Sequence, residues 1–186
     1  MSENIEDLLQ SFKDKFGENV KEARFEKYPT GAKKDEELLD FWITLDRSVF
    51  KEAVRYLTTL EEYPHLSVIS GYDAGNTINL VYHFSIGFGE KNREVTINLV
   101  VPLPKEDPVI DTITDIVPGA LISEQEKQEM LGVKIKDIPK NDRVFISEDF
   151  PEEKYPWRKD DKGVDDLARN LHEVDKEEDT EVETND

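Results

Sequence analysis

The apolar positions of this chain change period several times, and each change marks an element. In residues 3–16, Ile5, Leu8, Leu9, Phe12 and Phe16 recur at helical spacing and make one apolar face. Ser2 is placed to cap that helix and Gly17 to end it. The following VKEARFEKY reads as a strand, with Ala23, Phe25 and the stem of Lys27 on one side, and PTGAKKDEE as a turn. LLDFWITL, residues 38–45, is strand-like in its aromatic and β-branched content. Asp46 or Ser48 then opens a second helix, with Phe50, Ala53, Val54, Leu57 and Leu60 as its buried stripe. Three strands follow, HLSVISGYD, TINLVYHFSIGF and EVTINLVVPL, the last two joined by the hairpin turn GEKNR. This order predicts an α+β fold: a mostly antiparallel sheet with helices packed on one face, followed by an extended C-terminal segment.

Beyond the sheet the pattern is weaker. Asp107-Pro108 predicts a helix start, with Ile110, Ile113 and Ile116 facing the core and Pro118-Gly119 ending it. Ser123 and Glu126 have the spacing of a capping box for a second short helix. That helix, ISEQEKQEMLGV, sets three glutamates, two glutamines and a lysine between apolar residues. Glu126, Glu129 and Met130 would share one face, with Gln125, Gln128 and Leu131 beside it. The pattern alone fits an exposed helix with one apolar edge. After Gly132 neither period persists; EDFPEEKYPWRKDDKG reads as extended, VDDLARNL as a short helix, and the acidic end as disordered. The expected division is a domain over 1–132, an extended segment over 133–163, and a short helix with an acidic tail over 164–186.

Composition narrows the functions. The 186 residues suffice for one domain and some extra length. The net charge of −19 argues against nucleic acid, whose phosphates would be repelled. Residues 173–186 supply −7 of it, from eight acids and one lysine. A charged fraction of 36% with two methionines and no cysteine suits a protein from a hot environment. The lack of cysteine excludes disulfides, thiolate nucleophiles and cysteine-held clusters. No apolar run is long enough to cross a bilayer, and MSENIEDLLQSF lacks the pattern of a signal peptide, so the expected location is cytoplasmic.

Candidate chemistry is sparse. His65, His83 and His172 form no ligand cluster and are assigned structural roles, His172 beside Glu173 offering at most weak metal contact. The glycines of SGYDAGN and GFGEKN read as turn glycines, not as a phosphate loop. No Gly-x-Ser-x-Gly elbow is present, and no serine has an obvious basic partner in sequence. The residues therefore point to no catalytic group, no bound cofactor and no metal.

From Val101 onward the stretches PLPKEDPVIDTITDI, PGALISEQEKQEMLGV, IPKNDRVFISEDF and YPWRKDD follow one another, and in that succession the chain resembles the C-type peripheral-arm subunit of respiratory complex I (NADH:quinone oxidoreductase), a family shared with membrane-bound nickel–iron hydrogenases and sulfur-reducing complexes. PLPKEDPVIDTITDI resembles the family's Pro-x-x-x-Pro strand exit and following helix, and PGALISEQEKQEMLGV its Glu-Arg-Glu-x-x-Asp-Met-Phe-Gly-Ile motif. Glu124, Glu126, Met130 and Gly132 match directly, while Glu129 and Leu131 are near matches. IPKNDRVFISEDF and YPWRKDD resemble its His-Pro-Asp-Leu-Arg-Arg turn and Pro-Leu-Arg-Lys-Asp end. Gln125 replaces the family arginine, Ile138 the turn histidine and Leu121-Ile122 the Asn-Trp pair; of two arginines only Arg143 remains, behind Asp142. The divergence points to the hydrogenase or sulfane-reductase branch. The resemblance implies a cofactor-free structural subunit of a peripheral arm. It would form a hetero-oligomer with a catalytic large subunit and an iron–sulfur small subunit, reaching the cytoplasmic face of the membrane only through other subunits. Glu124, Glu126, Glu129, Met130, Arg143, Phe150, Tyr155, Trp157 and Arg158 are the interface candidates. The glutamates would pair with partners or with Arg143 and Arg158, and the aromatics would lie on another subunit or fold back on this chain's sheet. The alternatives are a free-standing acidic protein-binding module and an acidic hydrolase or isomerase using carboxylates.

Overall fold

The structure, a computed structural model, describes residues 5–30, 36–89, 94–164 and 167. Ser2, the 31–35 turn, residues 90–93 of the hairpin, most of the 164–171 helix, and the acidic tail with His172 lie outside the described residues. Helix α1 (Ile5–Phe16) leads through a single 3-10 turn into strand β1 (Val20–Thr30). Strand β2 (Glu36–Leu45), helix α2 (Phe50–Leu60), and strands β3 (His65–Asp73), β4 (Thr77–Ile86) and β5 (Val95–Pro104) follow. The five strands form one sheet in the order β1-β2-β5-β4-β3. Three of its pairings are antiparallel; β2 and β5 run parallel. The fold is α+β with a mostly antiparallel sheet.

Alternation builds this sheet with one dry face. Phe41, Ile43 and Leu45 of β2, Ile97, Leu99 and Val101 of β5, and Ile78, Leu80, Tyr82 and Phe84 of β4 are buried. Leu9, Phe12 and Phe16 of α1 and Phe50, Ala53, Val54 and Leu57 of α2 complete the same core. Phe12 meets Tyr56 edge-on at 5.1 Å between ring centres, and Phe50 lies 4.3 Å from Tyr82. Each large apolar side chain buried here contributes about 1.5–3 kcal/mol. Leu60, expected in the buried stripe, is instead 40% exposed at the end of α2. Asp46 organises the turn before α2 by accepting from Ser48 N and Oγ at 2.9 and 2.7 Å. The helix itself starts later, after Val49, with no side-chain cap.

Past β5 the chain departs from expectation. Asp107-Pro108 opens no helix; strand β6 (Val109–Asp111) stands there and pairs in parallel with β7 (Lys134–Lys136). Seven of the nine residues 109–117 are β-branched, which disfavours a helix, and a strand partner is available 25 residues downstream. Ile110 and Ile113 are buried all the same, and Ile116 packs against the core half-buried. Pro118-Gly119 does not end a helix but starts one, through a 3-10 turn leading into α3 (Leu121–Leu131). Ser123 therefore lies inside α3 and caps nothing, the N-cap being Ala120. Gly71 is no turn glycine either. It lies within β3, where a Cβ would stand 2.8 Å from Leu131 Cδ1, so its bareness lets α3 approach the strand.

Candidate functional site

Helix α3 answers the question its composition raises: its polar groups face protein. Glu124 is 0% exposed, Lys127 2% and Gln125 4%. Each serves a different stretch of chain. The Glu124 carboxylate accepts from Thr112 Oγ1 at 2.6 Å and Ile113 N at 2.9 Å, tying the helix start to the chain beyond β6. Burial pushes its pKa up, against the opposing pull of those two donors and Lys51. The Tyr82 hydroxyl, fully buried nearby without a protein partner, is pushed well up by burial and then by Glu124.

One turn on, three side chains hold the loop after β7. Gln125 Nε2 donates to the carbonyls of Lys140 and Asp142 at 3.4 and 3.3 Å, and Gln128 Nε2 to Asn141 Oδ1 at 2.7 Å. The Glu129 carboxylate accepts three consecutive backbone N–H groups, from Val144, Phe145 and Ile146, at 2.5, 2.8 and 2.8 Å. A carboxylate so cradled fixes a loop that has no regular pairing of its own. Arg143 adds bonds from Nη1 to Ser147 O and Phe150 O at 3.0 and 3.3 Å. Between helix and loop lies a cavity of about 320 Å³, lined among others by Glu129, Ile146, Phe150 and Tyr155.

The end of α3 receives the strap 155–163. Gly132 closes the helix at φ +72°, a left-handed cap. A Cβ there would sit 2.5 Å from the Tyr155 ring, which packs on the bare glycine. Trp157 N donates to Met130 O at 2.9 Å, and Lys127 Nζ lies 4.8 Å from the centre of the Trp157 ring while pairing with Glu126. Arg158, 8% exposed, reaches Leu131 O at 3.4 Å and Asp160 at 2.6 Å. Asp160 is in turn 3.0 Å from Lys105, which lies 2.7 Å from Asp73; Lys159 N donates to Asp73 at 2.8 Å. Burial pushes Asp73 up, but Lys105 and the N–H groups of Lys159 and Gly75 outweigh it and hold the carboxyl down. Arg158 and Lys105, against burial, hold Asp160 far below the carboxylate range.

The nine residues singled out in sequence thus gather around one helix, though not on one surface. Glu124 and Arg158 are buried, Glu126, Glu129, Met130, Phe150 and Tyr155 are half-buried, and Arg143 and Trp157 are exposed. The Asp73–Lys105–Asp160 clamp escaped sequence reading. Its members are 32 and 55 residues apart in turn, and only the Asp of YPWRKDD hinted at it.

The family profile described as respiratory-chain NADH dehydrogenase, 30 Kd subunit, matches residues 43–166, which spans the sheet from the end of β2, α3 and the strap. The chain belongs to that family. Membrane-bound hydrogenase subunit beta of Pyrococcus furiosus is 32% identical to it over 130 residues, 69% of this chain and 75% of its own. A subunit of F(420)H(2) dehydrogenase of Methanosarcina mazei is 27% identical over 167 residues, 88% of this chain and 96% of its own. A chain of the membrane-bound sulfane sulfur reductase, an archaeal respiratory membrane complex, has the same fold. Its TM-score is 0.62 at 19% identity, covering 95% of this chain and 98% of that one.

Two of the positions where this member departs from the family motif have visible local roles. Gln125 holds two loop carbonyls, and Ile138 packs half-buried against the core. On the open face of the sheet, a serine does have a basic partner: Ser70 Oγ lies 2.7 Å from His83 Nε2, and His83 Nδ1 lies 2.5 Å from Asn98 Oδ1. Asn98 Nδ2 donates to Phe41 O at 3.0 Å and to Asp40, so Oδ1 faces His83 and the imidazole proton belongs on Nδ1. The row crosses β3, β4, β5 and β2 and clamps them together. His65 is exposed and stacks on Phe88 at 4.0 Å. Among the described residues, no group of three or more His, Asp or Glu is arranged to hold a metal, and no helix is long and apolar enough to cross a membrane.

Proposed function

We propose that this member of the 30 Kd subunit family is a non-catalytic structural subunit of a membrane-bound respiratory redox complex of the hydrogenase, sulfane-reductase or complex I-like kind. In this reading it sits in the peripheral arm on the cytoplasmic side. It braces the catalytic large subunit against the iron–sulfur small subunit and reaches the membrane only through other subunits. The observation that carries the reading is that α3 uses its polar side chains to shape the irregular segment 137–163. A helix so used, in a chain without a cofactor-holding cluster among its described residues, suits a part that presents a fixed surface. Residues 1–132 would then be the body and 133–163 the docking segment. Glu126, Met130, Arg143, Phe150, Tyr155 and Trp157 would line the contact, with Glu124, Glu129 and Arg158 holding them in place from within.

Size in a native extract tests this. The chain is expected to migrate with partners many times its 21.5 kDa, and mass spectrometry of that band is expected to find a large subunit and an iron–sulfur small subunit. Migration near its own mass, with no co-purifying redox subunit, would overturn the reading.

A further inference from the structure

We propose that Val144 and Phe145 form an apolar knob that seats in a basic-rimmed apolar cleft on a neighbouring subunit of the complex; this rests on the structural-subunit reading above. These adjacent residues are 48% and 49% exposed in a loop otherwise rich in polar residues. Isolated apolar side chains at a surface carry little information, but this pair is held out by a dedicated support. The Glu129 carboxylate takes the N–H groups of Val144, Phe145 and Ile146, while Arg143 ties down the carbonyls of Ser147 and Phe150. The loop backbone is therefore fixed before any partner arrives, so little ordering entropy remains to be lost on docking.

Charge identifies the occupant. Residues 141–153 carry five acids, Asp142, Glu148, Asp149, Glu152 and Glu153, against Arg143 alone, a net of −4. All five acids are exposed and ring the two apolar side chains in sequence. A complementary surface has an apolar pocket of Val-plus-Phe size with lysine or arginine at its rim. A second copy of this chain, itself at −19, would be repelled at this face.

The test uses the assembled complex with a tagged full-length chain. The double variant Val144→Ser, Phe145→Ser is expected to raise the apparent dissociation constant about 10- to 100-fold, as loss of a central apolar anchor does. Its melting temperature as an isolated chain should stay within a few degrees, because both side chains point outward. Glu148→Lys with Asp149→Lys is expected to slow association. Benzoylphenylalanine placed at position 145 is expected to cross-link to another subunit of the complex even if the serine variant loses stability. Assembly of the serine variant equal to wild type, or a cross-link only to a second copy of this chain, would overturn the knob while leaving the subunit reading intact. Failure of the wild-type chain to enter any larger assembly would overturn both.

Discussion

Glu124 illustrates how a single residue sets the local balance. Its carboxylate is buried, yet it accepts from the buried Ile113 N and from Thr112 Oγ1, which also bonds to Thr114. Glu124→Ala is expected to lower stability by about 1–3 kcal/mol, the cost of stranding the buried Ile113 N–H. Glu124→Gln keeps an acceptor and removes the buried charge, so its melting temperature at neutral pH should stay close to wild type. Wild type and Glu124→Gln also differ in pH response. Burial raises the folded pKa of Glu124 above its ordinary 4.5, so the native state holds the proton more tightly than the unfolded one. Its contribution is thus fully present below the unfolded value and is lost as pH rises through the folded value. Melting curves taken upward from pH 4.5 should show this decline in wild type and lack it in Glu124→Gln. Gly132 is the other residue whose identity is forced. At φ +72° with Tyr155 packed where a Cβ would stand, Gly132→Ala combines backbone strain with a clash. Thermal unfolding should register a loss of about 2 kcal/mol or more, with Tyr155 displaced.

At the scale of elements, what was legible followed the period of the sequence. α1, α2 and the strands of the main sheet announce themselves because each buries one face, and burial writes a helical or alternating pattern into the chain. The α3 stretch announces a helix but hides its purpose. Its buried positions are Glu124, Gln125, Lys127 and Leu131, and a single apolar residue among them sets no pattern to show which side is inside. β6 is misread, and β7 is left without an element, for another reason. Each has three residues, and neither is a strand without the other, which sits across α3 in sequence. Local signals such as Asp107-Pro108 then point to a helix that the long-range pairing overrides. The strap is held by Asp73, Lys105, Arg158 and Asp160, a set with no spacing rule, and its chemistry yields a prediction. Asp73 and Asp160 both have folded pKa values below the ordinary 3.8, so they add stability above that value and lose it as pH falls through the folded values. The strap should therefore stay docked through mild acid and release only well below pH 3.8. Trp157 fluorescence in a Trp42→Phe background would follow the release. Asp160→Asn, which leaves Arg158 without its carboxylate, should release the strap at neutral pH. The expected loss is about 2–3 kcal/mol, less than for a fully buried pair because Asp160 is part-exposed and Lys105 keeps Asp73.

For the whole molecule the dominant property is charge. Of the net −19, residues 173–186 carry −7 and the remaining 172 residues −12, so the body is acidic even without the tail. An acidic surface of this size attracts basic partners over roughly a Debye length, about 10 Å at 0.1 M salt, and accelerates encounter more than it strengthens the final contact. The contact proposed here is apolar at its centre and acidic at its edge. Association and dissociation should therefore respond differently to salt. With the complex prepared without this subunit and the chain added back, the association rate should fall about 10- to 100-fold between roughly 0.05 and 0.5 M salt. The dissociation rate should change little, since screening acts on the rim and not on the buried anchors. Truncation before Glu173 removes about a third of the charge and should flatten the salt slope by a similar share if the tail helps steer the chain. An association rate indifferent to salt would mean that the acidity serves solubility alone, and that shape, not charge, brings the subunit to its place.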